Sequence, residues 1–368
     1  MIRRISVEQR IVDSARKRAA ILGCSVLVGL LLGSAIIIAS GSNVLEVYAE
    51  TVDAIVGSAR SVQQTLRATT PLILTGLAAA VAFRMRLYTI GAEGQLYIGA
   101  ITGSGMALLL GDGHPAVYVV PAVLLAGVIG GIVWALIIAV PRAYFGTDEV
   151  VGTLMLNFIA LHIMNWLIFG SVSFWRDREN LGFPGGKIVP EAAQLHQFWG
   201  RADTGIFIAV ALALILGLYL KWTSHGFEWS VIGDSLRAGI YSGMNVRRQI
   251  ISVLGLSGAL AGMAGAMQVA SVTYALEPRG LESGSLGFTG IVVAAIAGLN
   301  PRAIVPAAFV VAGITTAGPS LSRIGVSPAS VIALEGILLL SVAGGQFFNH
   351  FTLRVAPAAS EASAEPAS

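Results

Sequence analysis

The chain has one cysteine, Cys24, and it lies inside an apolar run. A single thiol makes no disulfide within a chain and no cysteine-based metal site. His114, His162, His196, His225 and His350 are scattered, with no pair at the i, i+4 spacing of a helical metal site. No metal and no other cofactor is expected. Lysine is scarce as well: Lys17, Lys187 and Lys221 stand in no phosphate-loop context. With no G-x-S-x-G and no H-E-x-x-H either, the chain is not read as an enzyme, and P-loop ATP hydrolysis is excluded. The largest shortage is charge. Only 12% of residues are charged, where a soluble domain has about a quarter. The net charge of +3 gives no reason to expect nucleic acid.

What fills the chain instead is apolar: 55% of residues are hydrophobic, and 44 are glycine. A lipid-spanning helix needs roughly 20 apolar residues. Ten stretches are candidates, at 19–40, 70–84, 89–110, 115–140, 150–170, 204–221, 249–271, 287–299, 302–319 and 328–345. The composition therefore predicts an all-α, polytopic membrane protein. The stretch at 287–299 is short for a span, so it is either tilted or a half-helix running into the "AGLNPR" break. Residues 1–18 read as a basic cytoplasmic N-terminus and 19–345 as the transmembrane domain. The Ala/Ser/Pro-rich 346–368 reads as a disordered cytoplasmic tail. The apolar run after the basic N-terminus is longer than a secretory signal's, so the first span is expected to stay uncleaved. Lysine and arginine favour the segments on the N-terminal side of the membrane, which predicts both termini inside.

Several ionisable or amide side chains fall within these stretches. In "YTIGAEGQLYIG" Glu93 lies roughly 10–14 Å above the membrane face marked by Arg84 and Arg86, at about 1.5 Å per residue. Gly91 and Gly94 flank it, which suggests a helix break. Irregular backbone at that depth is tolerated where protein buries it or a wet cavity adjoins it. Glu93 and Gln95 then either shape a translocation path or its gate, or Glu93 caps the amides of a broken helix. Asn157, near mid-membrane, either meets a polar solute or bridges helices. Glu335 is the third candidate, and Gln268 lies near the far end of its span.

Two loops carry their own signals. Residues 171–203 hold Phe174, Trp175, Phe198 and Trp199, read either as an interfacial lid or as an ordinary aromatic belt. The inner loop at about 222–248 contains "GDSLRAGIYSGM". Asp234 or Ser235 marks a helix start there, and Gly243 marks its end. A short helix along the membrane face is expected, packed on the bundle or on a cytoplasmic partner.

Several segments resemble one family in the correct order. "TPLILTGLAAAVAFRMRLYTIGAEGQLYIGA" at 70–100 is similar to the signature of ABC-importer permeases of the nucleoside/simple-sugar type, relatives of ribose and branched-chain amino-acid permeases. Thr89 stands where that motif has Asn. "DEVVGTLMLNFIA" at 148–160 resembles a second motif, with Asp148 and Phe158 in place of Asn and Tyr. "GDSLRAGIYSGMN" at 233–245 resembles the coupling segment, with Ser235 and Leu236 in place of Asn-Pro. "LGFTGIVVAAIAGLNP" at 286–301 resembles a fourth. The resemblance implies ten transmembrane helices with helices 2–5 and 7–10 as an inverted repeat, in a bacterial plasma membrane. It implies a second permease (paralogue or self), a cytoplasmic ATP-binding subunit that binds the ATP, and an extracytoplasmic solute-binding protein. Nucleosides are the implied cargo, simple sugars second. Gly233, Asp234, Ala238, Gly239, Tyr241 and Gly243 would form the contact with the ATPase. The competing expectation is a stand-alone secondary transporter, in which Glu93 or Glu335 would supply a membrane-embedded carboxylate.

Overall fold

The computed structural model of the protein describes residues 4–9, 15–179 and 184–356. Its helices in chain order are α1 (Ala15–Ala39), α2 (Val44–Val52), α3 (Ala59–Arg84), α4 (Ala92–Leu110), α5 (Ala116–Phe145), α6 (Glu149–Asn165) and α7 (Gly205–Trp222). They continue with α8 (Ser224–Asp234), α9 (Leu236–Tyr241), α10 (Val246–Gln268), α11 (Pro278–Gly284), α12 (Leu286–Ile296), α13 (Pro301–Arg323) and α14 (Pro328–His350). Each of the ten apolar stretches coincides with a helix. Among the described residues, six helical stretches are long and apolar enough to cross a membrane: Ala59–Arg84, Ala116–Phe145, Glu149–Gly170, Gly205–Trp222, Val246–Thr273 and Pro301–Arg323. The chain is a multi-pass, all-α membrane protein.

Of the other apolar stretches, α4 is 19 residues long but carries Glu93 and Gln95 in its first turn. The half-helix alternative holds for 287–299, where α12 has only 11 residues. It stops because Gly298 and Leu299 both turn to positive φ, at 58° and 59°. Asn300 then caps α13 by accepting the Arg302 amide at 3.2 Å.

The chain divides into two compact units. The larger is Tyr48–Ile324. Its centre is α3, where every residue from Thr69 to Ala82 is buried. Helices α7, α10, α12 and α13 pack around it. α10 also lies against α4 and α5, and glycine sets those distances. A Cβ at Gly131 would overlap the Gly258 carbonyl, and one at Gly99 would overlap that of Gly262. Backbones this close gain dispersion that larger side chains would prevent, which is the common means of association in lipid.

The smaller unit joins the two ends of the chain, Met1–Val47 and Gly325–Ser368. In it α1 packs on α14. Strand β1 (Arg4–Gln9) pairs antiparallel with a C-terminal strand, Phe351–Ala356, Arg4 opposite Ala356 and Gln9 opposite Phe351. The N-terminal segment contains a strand, and α1 starts at Ala15. One expectation is corrected, that for the C-terminal tail. The tail expected to be disordered from residue 346 is helical through His350 and extended through Ala356. The reason is local: "RISVEQ" and "FTLRVA" alternate apolar and polar residues, the period of a strand, and the Ala/Ser/Pro-rich composition starts only after them. Residues 357–368 of that expected tail lie outside the described residues.

Candidate functional site

Between the end of α3 and the start of α4 the backbone is irregular, and Arg86 adopts φ 55°. Buried irregular backbone needs partners for its amides, and here α6 supplies most of them. Glu149, Thr153 and Asn157 recur every four residues and so share one face of that helix. Glu149 accepts the Tyr88 amide at 3.2 Å, Thr153 the Ile90 amide at 3.2 Å, and Asn157 the Gly94 amide at 2.9 Å. Asn157 also donates to the Ile90 carbonyl at 3.0 Å, so it spans the turn into α4. The Gly91 amide is taken by the Thr89 hydroxyl at 3.1 Å. Arg142 anchors the foot of this ladder through an ion pair to Glu149 at 3.0 Å.

The expected break at "GAEG" lies earlier than the two glycines suggested. Gly91 precedes the first residue of α4, and Gly94 is already inside the helix. Gly94 is there for space: a Cβ would come within 2.7 Å of the Asn157 oxygen.

Glu93 is 2% exposed and points away from this ladder. Its Oε2 accepts the Gly287 amide at 2.6 Å and the Phe288 amide at 3.2 Å, and its Oε1 accepts the Tyr97 hydroxyl at 2.7 Å. Gly287 and Phe288 are in the first turn of α12, whose unpaired amides and positive dipole end favour a carboxylate. Glu93 thus sits in the first turn of α4 and caps the first turn of α12. The capping alternative describes its geometry, with the cap placed on a different helix from its own. Gly287 permits the approach, since a Cβ there would overlap the Glu93 backbone.

The other polar candidates are separate from this cluster or only adjoin it. Gln95 is 2% exposed, its amide nitrogen beside Gly91, and its Oε1 has no hydrogen-bond partner among the described residues. The Gln268 oxygen likewise has none. Glu335 is on α14, and its side chain lies outside the described residues.

The expected surface helix is present as α9. Ser235 is its N-cap, accepting the Ala238 amide at 3.3 Å, and Gly243 ends it at φ 75°. Asp234 belongs instead to the last turn of α8 and pairs with Arg86 at 3.3 Å, both side chains exposed. The two buried glycines face the chain itself: Gly233 lies against the Arg84 carbonyl and Gly239 against Ile232. Ala238 is exposed, as are Leu236, Ile240 and Tyr241, the last at 96%. A cleft of about 740 Å³ adjoins α9, lined in part by Met85, Leu87, Ile232, Leu236 and Ile240.

At the opposite end of the larger unit the aromatic loop is pinned in place. The Trp175 indole donates to the Ile101 carbonyl at 3.1 Å, and Phe198 packs on Phe207 with ring centroids 4.8 Å apart. Glu149 and Thr153 were not singled out from sequence. Their signal was available: polar residues at i, i+4 and i+8 in the otherwise apolar "EVVGTLMLN".

Residues 61–343 match the family described as branched-chain amino acid transport system / permease component. Three curated proteins are similar over nearly the whole chain. The guanosine ABC transporter permease protein NupP of Bacillus subtilis is 33% identical over 87% of this chain and 91% of its own length. The nucleoside ABC transporter permease protein NupB of Lactococcus lactis is 30% identical over 87% and 89%. The glucose ABC transporter permease protein TsgB13 of Haloferax volcanii is 26% identical over 90% and 89%.

Proposed function

The chain belongs to the family of branched-chain amino acid transport system permease components, and from that premise we propose that it is the membrane subunit of an ATP-driven nucleoside importer. Nucleosides rank above sugars as cargo because the two relatives named for guanosine and nucleoside are more similar than the one named for glucose. The subunit spans a bacterial plasma membrane ten times with both termini cytoplasmic, and helices 2–5 and 7–10 form an inverted repeat. It pairs with a second permease, the same chain or a paralogue. An extracytoplasmic solute-binding protein delivers cargo, and a separate cytoplasmic subunit binds and hydrolyses ATP.

The observation that carries this reading is α9. A six-residue helix capped at both ends, seated on its own chain by Gly233 and Gly239, presents Leu236, Ile240 and Tyr241 outward. Such a helix transmits force from a partner without bending, and its apolar surface needs a partner to cover it. Glu93, Gln95 and Asn157 act behind it by holding the shape of the path where α4 and α12 begin. Glu335 on α14 is a further path-lining candidate.

The stand-alone transporter reading is the weaker one. It needs a carboxylate that is free to take up an ion, and both oxygens of Glu93 are engaged by three donors. The deciding experiment reconstitutes the chain in liposomes with and without its ATPase and binding protein. Guanosine uptake should require both partners and ATP; uptake by the chain alone on an ion gradient would sink the reading.

A further inference from the structure

The C-terminal end of α3 lies against Gly233 beside α9, whereas Arg67, towards its N-terminal end, meets the last turn of α10. α10 finishes in a π-helical turn, Val269–Thr273, followed by Tyr274 at φ 53°. A π-turn widens the helix and leaves carbonyls without their usual amides. Arg67 takes two of these, donating to the carbonyls of Ser271 and Val272, the latter at 3.2 Å. Its guanidinium carbon lies 5.3 Å from the centre of the Tyr274 ring.

The same turn holds the long loop. The Leu195 amide donates to the Ala270 carbonyl at 3.0 Å, and the Val189 amide to that of Tyr274 at 2.8 Å. Gln197 donates to the Tyr274 hydroxyl at 2.9 Å. The loop ends at Asp203, which is 3% exposed and whose Oδ1 accepts the Gly205 amide at 2.8 Å. Burial pushes the Asp203 carboxyl above its ordinary range, against the opposing pull of the Gly205 amide, the Ser271 hydroxyl and the Arg67 charge.

Two polar atoms in this cluster are unsatisfied. Among the described residues, neither Arg67 Nε nor Asp203 Oδ2 has a hydrogen-bond partner, and both are buried. One is a charged donor and the other an acceptor. A buried group left unpaired is costly, and groups of this kind mark places where strain or function is stored. The guanidinium therefore has two sets of acceptors within the cluster: the π-turn carbonyls it holds and the carboxylate it does not.

We propose that Arg67 exchanges between these two sets, and that its transfer to Asp203 frees the last turn of α10 from the 184–203 segment during transport. The physical basis is a two-state element. Holding the carbonyls closes the turn onto the loop. Pairing with Asp203 satisfies both unpaired atoms and lets the turn and the loop part. The proposal requires only that the chain moves a solute; it rests on the importer reading solely for the ATP that drives the assay.

The test uses the assembled transporter in liposomes, with Cys24, which is exposed, first replaced by serine. Leu195→Cys with Ala270→Cys, oxidised, ties the loop to α10. Uptake should fall at least about tenfold, a usual scale for coupling between sites, and should return on reduction. Asp203→Asn removes the charge that draws Arg67 away, so the maximal uptake rate should fall while KM holds. Hydrogen exchange at 268–277 should quicken during turnover in the parent and not in Asp203→Asn. A cross-linked protein that transports at the parental rate overturns the proposal. So does an Asp203→Asn variant with parental uptake and exchange. Should the parent import on an ion gradient instead, the importer reading falls and the same cross-link is scored on that uptake.

Discussion

The Glu93 carboxylate accepts the Gly287 amide at 2.6 Å, joining the starts of two helices that are 194 residues apart in sequence. One carboxylate, carried on the first turn of α4, thereby caps the N-terminus of α12. Glu93→Gln keeps the shape and one acceptor but removes the charge and the second acceptor. Hydrogen bonds to charged groups contribute about 1.5–3 kcal/mol each, so the variant should melt several degrees lower in detergent and transport less. A variant that melts like the parent while losing uptake would instead make Glu93 a cargo contact.

Asn157 uses both ends of its amide, one on Ile90 and one on Gly94. Asn157→Leu leaves a buried amide and a buried carbonyl unpaired, at about 1–3 kcal/mol each. Asn157→Asp restores the acceptor but sets a negative oxygen against the Ile90 carbonyl. Both variants should express poorly or aggregate on heating, and circular dichroism melts in detergent check this. Normal melting of either would show that the turn into α4 is held by something other than Asn157.

Most of the helical layout was legible because, among the described residues, six helical stretches are long apolar runs, a signal independent of contacts. The site was legible only in part. Glu93, Gln95 and Asn157 stand out as polar residues in apolar runs, yet a single sequence does not say what they touch. Glu93 reaches a helix nearly two hundred residues away, and no local pattern encodes that distance. Glycine permits unusual backbone, so the sequence points to a break at Gly91 and Gly94. In the structure the positive φ falls on Arg86, and Gly94 serves closeness. The C-terminal strand is obscured by the Ala/Ser/Pro-rich residues that follow it, although "FTLRVA" itself alternates in strand fashion.

Asp203 yields a prediction whose sign follows from burial. Its carboxyl is held above its ordinary range, so the folded protein binds more protons than the unfolded chain between the ordinary and the raised value. Stability from this group is highest in acid and falls as pH rises through that window. Asp203→Asn removes the buried charge while keeping an acceptor for Gly205. The variant should therefore melt at or above the parent at neutral pH, with the difference vanishing below the ordinary carboxylate range. Melting curves at several pH values check it, and a deficit that grows toward neutral pH would mean that the charge is net stabilising.

The sharpest mechanical prediction concerns α9, where neighbouring residues have opposite jobs. Gly239 is buried, and a Cβ there would come within 2.8 Å of the Ile232 side chain. Ala238, one residue earlier, is exposed. Gly239→Leu should unseat α9 from α8 and lower the melting temperature of the subunit itself. Ala238→Arg meets no such wall, so the isolated subunit should insert and melt like the parent. In the assembled importer the same arginine would land in the proposed contact with the ATPase. A charge buried without a partner costs several kcal/mol, enough to lose the ATPase on co-purification and to abolish ATP-dependent uptake. Tyr241→Ser, which removes the most exposed apolar ring on α9, should weaken the contact without adding charge. An Ala238→Arg subunit that keeps its ATPase and transports at the parental rate would place the coupling contact elsewhere on that face.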